Sequence, residues 1–273
     1  MKIMADVFLF IQNGWKNIWK QKTIWLFSML PILNQLFNTF RAERTTDFLP
    51  SFIFLMASFV FIILIYISFI GVPYLAYCFL IGKSATIQET LSAAEKFSGR
   101  VIGCSCLGII AFSPVFLLAL AVSTNNSTHA LQLSNKTILI LLPFSIFAAV
   151  PQFTIVSFFE NDWGIRQSLD KAWHLFKSNF GALSILGLIL VITFRAYSAM
   201  SITLTVLIQS GFDITSISNL NMFIPSTSLS KNLLFVLING IGQTIFTPLS
   251  ASIFISAYLK YSDVKLPFLM RVK

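Results

Sequence analysis

A chain of 273 residues that is 56% hydrophobic and only 11% charged cannot cover a water-facing surface, because a soluble domain carries roughly 25% charged residues. Its twenty-nine phenylalanines fall in uninterrupted runs of about 20 apolar residues, the length that spans a bilayer, and the mean hydropathy is +0.81. The net charge of +9 comes without a basic, aromatic-interleaved groove of soluble sequence, which argues against nucleic acid and for anionic inner-leaflet lipid as the partner.

Residues 1–22 read as an interfacial helix. Val7, Ile11, Trp15, Ile18 and Trp19 fall on one face, and Gln12, Lys16, Asn17 and Lys20 on the other; tryptophans one turn apart suit the headgroup layer. The segment lacks a continuous apolar core and a small-residue cleavage site, so no cleavable signal peptide is expected. A first span follows at 23–40, interrupted by Pro31, Asn34, Gln35 and Asn38. The next, 52–81, lies in a stretch without charge that is longer than the hydrocarbon core, so it must tilt, kink at Pro73 or project.

Thr86–Ile102 is a second amphipathic segment, with Ile87, Leu91, Ala94 and Val101 on its apolar side. Thr86-Ile87-Gln88-Glu89 fits a capping box that starts the helix. Spans at 101–122 and 137–159 come next. Gly164–Phe180 is the third amphipathic segment: Ile165, Leu169, Ala172, Trp173, Phe176 and Phe180 form its apolar face, while Arg166, Asp170, Lys171, His174 and Lys177 face away. Spans at 181–208 and 232–259 complete six.

The second and third amphipathic segments align without a gap. Ile87 falls on Ile165, Leu91 on Leu169, Ala94 on Ala172 and Gly103 on Gly181, and upstream Val72 and Pro73 fall on Val150 and Pro151. An internal repeat of this kind determines architecture before any single motif does. The expected fold is therefore all-α: one polytopic integral membrane domain over 1–273. It has six transmembrane helices, interfacial amphipathic helices before spans one, three and five, and an internal repeat of about 78 residues. The repeat units are 59–122 and 137–208, with 232–265 pairing with 1–40. Pro73, Pro151 and Pro248 each precede the first charged residue at the end of an even span (Lys83, Glu160 and Lys260) and are expected kink positions.

Orientation follows from lysine and arginine. With the N-terminus inside, fourteen basic residues fall on the cytoplasmic side and four, Arg41, Arg44, Lys136 and Lys231, outside. Both termini are thus expected in the cytoplasm, and the protein in the cell membrane of a prokaryote.

Phe159-Glu160-Asn161-Asp162-Trp163-Gly164, followed by Ser168-Leu169-Asp170-Lys171-Ala172-Trp173-His174-Leu175-Phe176-Lys177, resembles a loop of the membrane domain of glycerophosphoryl diester phosphodiesterases and of related multi-pass bacterial and archaeal proteins. The C-terminal Tyr261-Ser262-Asp263-Val264-Lys265 is similar to the Tyr-x-Asp-x-Arg ending of that group, with lysine in place of arginine. The resemblance implies a fold and a location. The catalytic barrel of the phosphodiesterases is absent from this sequence, so their activity does not carry over.

Little else points to chemistry. Gly82-Lys83-Ser84 looks like the tail of a phosphate-binding loop, but Tyr77 stands where that loop needs glycine and a span precedes it. Cys78, Cys104 and Cys106 lack the complementary pair a zinc site needs and read as packing residues. His129 and His174 fall on opposite sides of the membrane in this topology. No Asp or Glu lies inside a span, which weakens ion-coupled transport. Thr193, Ser198, Ser201, Thr203 and Thr205 are expected to bond their own backbone or a neighbouring helix. Gly99 and Gly103 form a Gly-x3-Gly that permits close helix approach, and Asn125, Asn126 and Asn135 satisfy the glycosylation triplet.

Arg195 is the one ionisable residue inside a span. It is a candidate contact for a lipid phosphate or an anionic solute, with Tyr197 beside it, or it snorkels to the outer headgroups. No catalytic residue, metal site or cofactor is expected. The sequence favours a non-catalytic membrane component that organises lipid or a membrane protein partner. The alternative is a transporter or channel for a lipid or small anionic solute.

Overall fold

The computed structural model describes residues 2–41, 48–124, 146–209 and 229–262. His129, the triplets at Asn125, Asn126 and Asn135, residues 137–145 of the fourth expected span and the end of the motif at Asp263–Lys265 lie outside them. The described residues form eight α-helices: α1 (Lys2–Lys20), α2 (Lys22–Arg41), α3 (Phe48–Leu80), α4 (Ile87–Thr124), α5 (Ala149–Asn161), α6 (Ile165–Ser178), α7 (Phe180–Gln209) and α8 (Leu229–Tyr261). A single 3-10 turn, Ile146–Ala148, leads into α5.

Among the described residues three helices are long and apolar enough to cross a membrane: Phe54–Leu80 in α3, Phe180–Thr205 in α7 and Leu233–Tyr261 in α8. Each lies within or closely matches one of the expected spans. Toward one end of the molecule their apolar side chains lie exposed, among them Phe59 and Ile62 on α3, Ile192 and Met200 on α7, and Leu237 and Ile241 on α8. Water would not tolerate so many large apolar residues in contiguous stretches, whereas lipid tails would.

The opposite end of the molecule is packed around α8. From Ala251 to Leu259 this helix is buried without interruption, so neighbours surround it on every side. The chain α1–α2 runs antiparallel along nearly its whole length. Gly14 of α1 lies against Ile253, where a β-carbon would come within 2.5 Å of the Ile253 side chain, and Gly240 lies against Ile32 of α2. On the face turned about half a revolution away, Gly242 accepts the ring of Tyr197 from α7. Small residues at these crossings let the helices approach closely. Residues of α3 (Val72, Leu75 and Ala76), α5 (Phe153 and Val156), α6 (Ala172 and Phe176) and α7 (Leu183 and Leu186) complete one core with this end of α8.

The structure corrects three expectations. The inward face of α1 is Val7, Phe10, Asn13, Asn17 and Ile18, while Trp15 and Trp19 are exposed. Asn17 faces inward because α8 offers hydroxyls to its amides: Asn13 Nδ2 donates to Ser256 Oγ at 3.1 Å and Asn17 Nδ2 to Ser252 Oγ at 2.8 Å. Second, the amphipathic segment at 86–102 and the span at 101–122 form one uninterrupted helix, α4, rather than an interfacial helix feeding a separate span. Third, Pro151 is the third residue of α5, in a first turn where a missing N–H breaks no helical bond, so it begins this helix instead of kinking it. Pro73 and Pro248 do sit inside α3 and α8.

Helix ends follow residue chemistry. The capping box forms as expected: Glu89 N–H donates to Thr86 Oγ1 at 3.2 Å, and Thr86 N–H donates to Glu89 Oε2 at 2.7 Å. Gly82, Lys83 and Ser84 prove to be the cap of α3. Gly82 adopts φ 79°, its N–H donates to Phe79 O, and Lys83 N–H donates to Cys78 O at 2.8 Å. This is the double bond pattern of a Schellman ending, which requires the left-handed conformation that glycine takes without strain. That geometry accounts for the glycine with no phosphate involved.

Candidate functional site

The polar groups of the packed end gather where α5 stops. Phe159 anchors the stop, its ring meeting Tyr74 of α3 and Phe97 of α4 edge-on at 5.4 Å each. Beyond it the chain turns through Asp162, whose φ of 54° is left-handed and whose N–H donates to Phe158 O. Aspartate tolerates this conformation better than most residues with a β-carbon. The turn presents two carboxylates, Glu160 and Asp162, to different neighbours.

Glu160 joins three helices. Lys171 Nζ of α6 donates to its Oε2 at 2.7 Å, and the Tyr258 hydroxyl of α8 donates to the same oxygen. That hydroxyl also lies 3.1 Å from Ser157 Oγ, one turn back on α5. The Lys171 ammonium sits over the rings of Trp163, at 4.7 Å, and Tyr258, at 5.2 Å. With side-chain exposures of 16% for Glu160 and 21% for Lys171, the pair is shielded enough for charge-assisted bonds to count. The sequence pattern puts Lys171 on the polar side of this helix, away from its apolar face; the side chain is nonetheless held against the protein by Glu160 and two aromatic faces.

Asp162 faces α4. Arg100 Nη1 donates to its Oδ1 at 2.5 Å and to the Trp163 carbonyl at 3.1 Å, and Lys96 Nζ pairs with Oδ2 at 3.0 Å. These two cations hold the Asp162 carboxyl below the usual carboxylate range. Asp162 is half exposed, so solvent screens this pair more than the one at Glu160. The Glu89 carboxyl is likewise lowered, by the Thr86 amide and hydroxyl that donate to it. A fourth ion pair, Asp6 Oδ1 with Lys260 Nζ at 2.6 Å, ties the start of α1 to the end of α8.

Arg195 and Tyr197 separate. Tyr197 turns to α8, where its hydroxyl donates to the Ile238 carbonyl and its ring packs on Phe246. Arg195 is exposed on α7, and none of the ion pairs among the described residues involves it. Of the hydroxyls expected to bond their own backbone, those of Thr193, Ser201, Thr203 and Thr205 each donate to the carbonyl four residues earlier. Of the glycine pair, Gly103 meets Ile165 at the start of α6, while nothing approaches Gly99. Cys78 is buried, Cys104 half-buried and Cys106 exposed, all as free thiols. His174 is exposed. No group of three or more metal-ligating side chains occurs among the described residues.

Sequence reasoning missed the Glu160–Lys171–Tyr258 meeting. Glu160 stood out as the end of a span and as part of the loop at 159–164, and Tyr258 gave no signal, since 98 residues separate it from Glu160 and no local period links them. An acidic residue ending one apolar stretch and a tyrosine near the end of another were the available hints. A scan against models of protein families found no match, and neither did searches of curated proteins and of solved structures.

Proposed function

We propose that this chain is a six-span integral protein of the cell membrane, with both termini cytoplasmic, whose role is non-catalytic: it organises lipid or a membrane protein partner. The observation that carries this reading is the closed packing around α8. Ala251–Leu259 is buried throughout, and the polar side chains it presents are taken by α1 and α5, through Asn13, Asn17, Ser157 and Glu160. The hydroxyls of Ser252, Ser256 and Tyr258 are thus held in bonds between helices, whereas a reacting group would have to face a substrate. The similarity of the Phe159–Gly164 loop to the membrane domain of the glycerophosphoryl diester phosphodiesterases agrees with a membrane module separable from catalysis.

The alternative, a transporter or channel for a lipid or small anionic solute, is favoured by the exposed guanidinium of Arg195 on an otherwise apolar helix. Reconstitution into liposomes separates the two. The organiser reading expects efflux of trapped phosphate or chloride, and lipid scrambling, at the rate of protein-free liposomes. A saturable flux that Arg195→Ala abolishes would transfer the assignment to the transporter.

A further inference from the structure

Between α2 and α8 runs a groove of about 480 Å³, with Trp19 and Trp25 at one end and Met29, Leu33, Leu237 and Ile241 along its walls. Its volume falls within the roughly 300–1,000 Å³ typical of ligand sites. The walls are apolar; the one hydroxyl among them, on Thr244, is spent on the Gly240 carbonyl. Trp25 is fixed in place, since its indole N–H donates to the Ile18 carbonyl at 2.7 Å and its ring meets that of Trp19 at 5.5 Å. Trp19 in turn meets Trp15 edge-on at 5.9 Å.

Three cations cluster at the tryptophan end of the groove. Lys20 follows Trp19 directly, Lys22 precedes Trp25 by one helical turn, and Lys16 lies one turn before Lys20. All three are exposed. Unlike Lys96, Arg100, Lys171 and Lys260, none of them has a carboxylate partner among the described residues. An apolar trough capped by aromatic rings and unpaired ammonium groups has the polarity of one molecule of an anionic glycerophospholipid, with a chain along α8 and a phosphate at the α1–α2 junction.

We infer that the α2–α8 groove is a binding site for an anionic phospholipid, its acyl chain against Leu33 and Ile241 and its headgroup against Lys20 and Lys22. Tryptophan at the level between chain and headgroup matches the place indole rings take at membrane interfaces, and basic residues there add attraction for anionic over zwitterionic lipid. The site deepens the lipid-organising reading and rests on the membrane placement of α8.

The test is native mass spectrometry of the full chain, purified in detergent and titrated with phosphatidylglycerol or with phosphatidylcholine of the same chains. The wild type should bind one phosphatidylglycerol at least about 10-fold more tightly than phosphatidylcholine, as two headgroup contacts of this kind imply. Lys20→Gln with Lys22→Gln should erase the preference while leaving phosphatidylcholine binding unchanged. Ile241→Trp, which fills the trough, should weaken both lipids about equally. Leu33→Trp serves the same purpose should Ile241→Trp fail to fold. Equal binding of the two lipids by the wild type, or full binding by a folded trough-filling variant, would overturn the site. Recovery of the chain in the soluble fraction without detergent would instead defeat the membrane reading itself, so the two failures are distinguishable.

Discussion

The amphipathic segment in α4 and the one in α6 have the same order of parts, yet the backbone treats them differently. Both are followed by an apolar stretch, and Thr90 and Ser168, at matching positions, are both buried. α4 passes from one part to the other without a break, with Val101 buried at the crossing. At the position that aligns with Val101 the second segment has Asn179, at φ −124° and ψ 27°, and there the chain bends between α6 and α7. The Asn179 amide takes the Leu175 carbonyl at 3.1 Å, and its N–H is shared between the Leu175 and Phe176 carbonyls. A short polar side chain that bonds its own backbone competes with the helix in this way, whereas valine cannot. Apolar positions therefore decide which face is buried, and one polar residue at the junction decides whether the segment becomes a helix of its own.

The consequence is a division of labour at the two carboxylates. As a free-standing helix, α6 brings Lys171 onto Glu160 and into reach of α8. As part of a long rod, α4 reaches only the outer carboxylate, Asp162, with Lys96 and Arg100. The inner meeting point is shielded and the outer one is wet, so the two should differ sharply in energetic weight.

The largest expected effect is at the inner carboxylate. Glu160→Ala strands the Lys171 ammonium and the Tyr258 hydroxyl and should destabilise the protein by about 1.5–3 kcal/mol, the range for hydrogen bonds to charged groups, measured by thermal unfolding in detergent. Glu160→Gln, which keeps an acceptor, should fall between Ala and wild type. Asp162→Ala, at the exposed site, should lower the transition by clearly less than Glu160→Ala does; a larger effect there than at Glu160 would reverse the ranking of the two sites.

Asn179→Val puts the α4 residue into the α6–α7 junction. It should cost about 0.5–1.5 kcal/mol, one net hydrogen bond, and slow hydrogen exchange across residues 178–181 as the helix becomes continuous. Unchanged exchange would mean that the docking of α6 imposes the bend and Asn179 merely follows it. A smaller effect separates the two glycines of α4. Gly99→Ala enters open space and should stabilise by about 0.5–1 kcal/mol. Gly103→Ala should lose that gain, because its β-carbon would meet the Ile165 side-chain tip at 2.6 Å. Similar transitions for both variants would show that α4 and α6 do not touch as described.

The smallest effect is the pH response of the Asp162 contacts. Because the folded carboxyl is lowered, its contribution is complete above the unfolded value of roughly 4 and disappears as the pH falls through the lower folded value. Wild type should therefore lose slightly more stability than Asp162→Asn on acidification below about pH 4. Parallel curves would remove the outer contact from the account.

Several features were legible in the sequence because they depend on neighbours within one turn: the capping box at Thr86–Glu89, the back-bonding hydroxyls of α7 and the apolar length of α3, α7 and α8. The features that escaped it depend on partners far along the chain. The inward turn of Asn17 makes sense only once Ser252 stands opposite, and that of Lys171 only once Glu160 and Tyr258 meet. Pro151 escaped for a different reason, since a proline at a helix start and one in mid-helix look alike without the boundary. Gly82-Lys83-Ser84 carried a real signal, a helix stop, that resembled a phosphate loop in composition alone.

The central claim, a closed core around the end of α8, is tested most directly by thiol accessibility. Single cysteines placed one at a time from Ala251 to Leu259, in a chain with Cys78, Cys104 and Cys106 replaced by alanine, would be treated in membranes with a water-soluble, membrane-impermeant maleimide added to both sides. The account predicts no labelling at any of these positions while a control cysteine in place of the exposed Lys83 reacts. Labelling at every third or fourth position would reveal a water-filled path along one face of α8 and contradict the closed core.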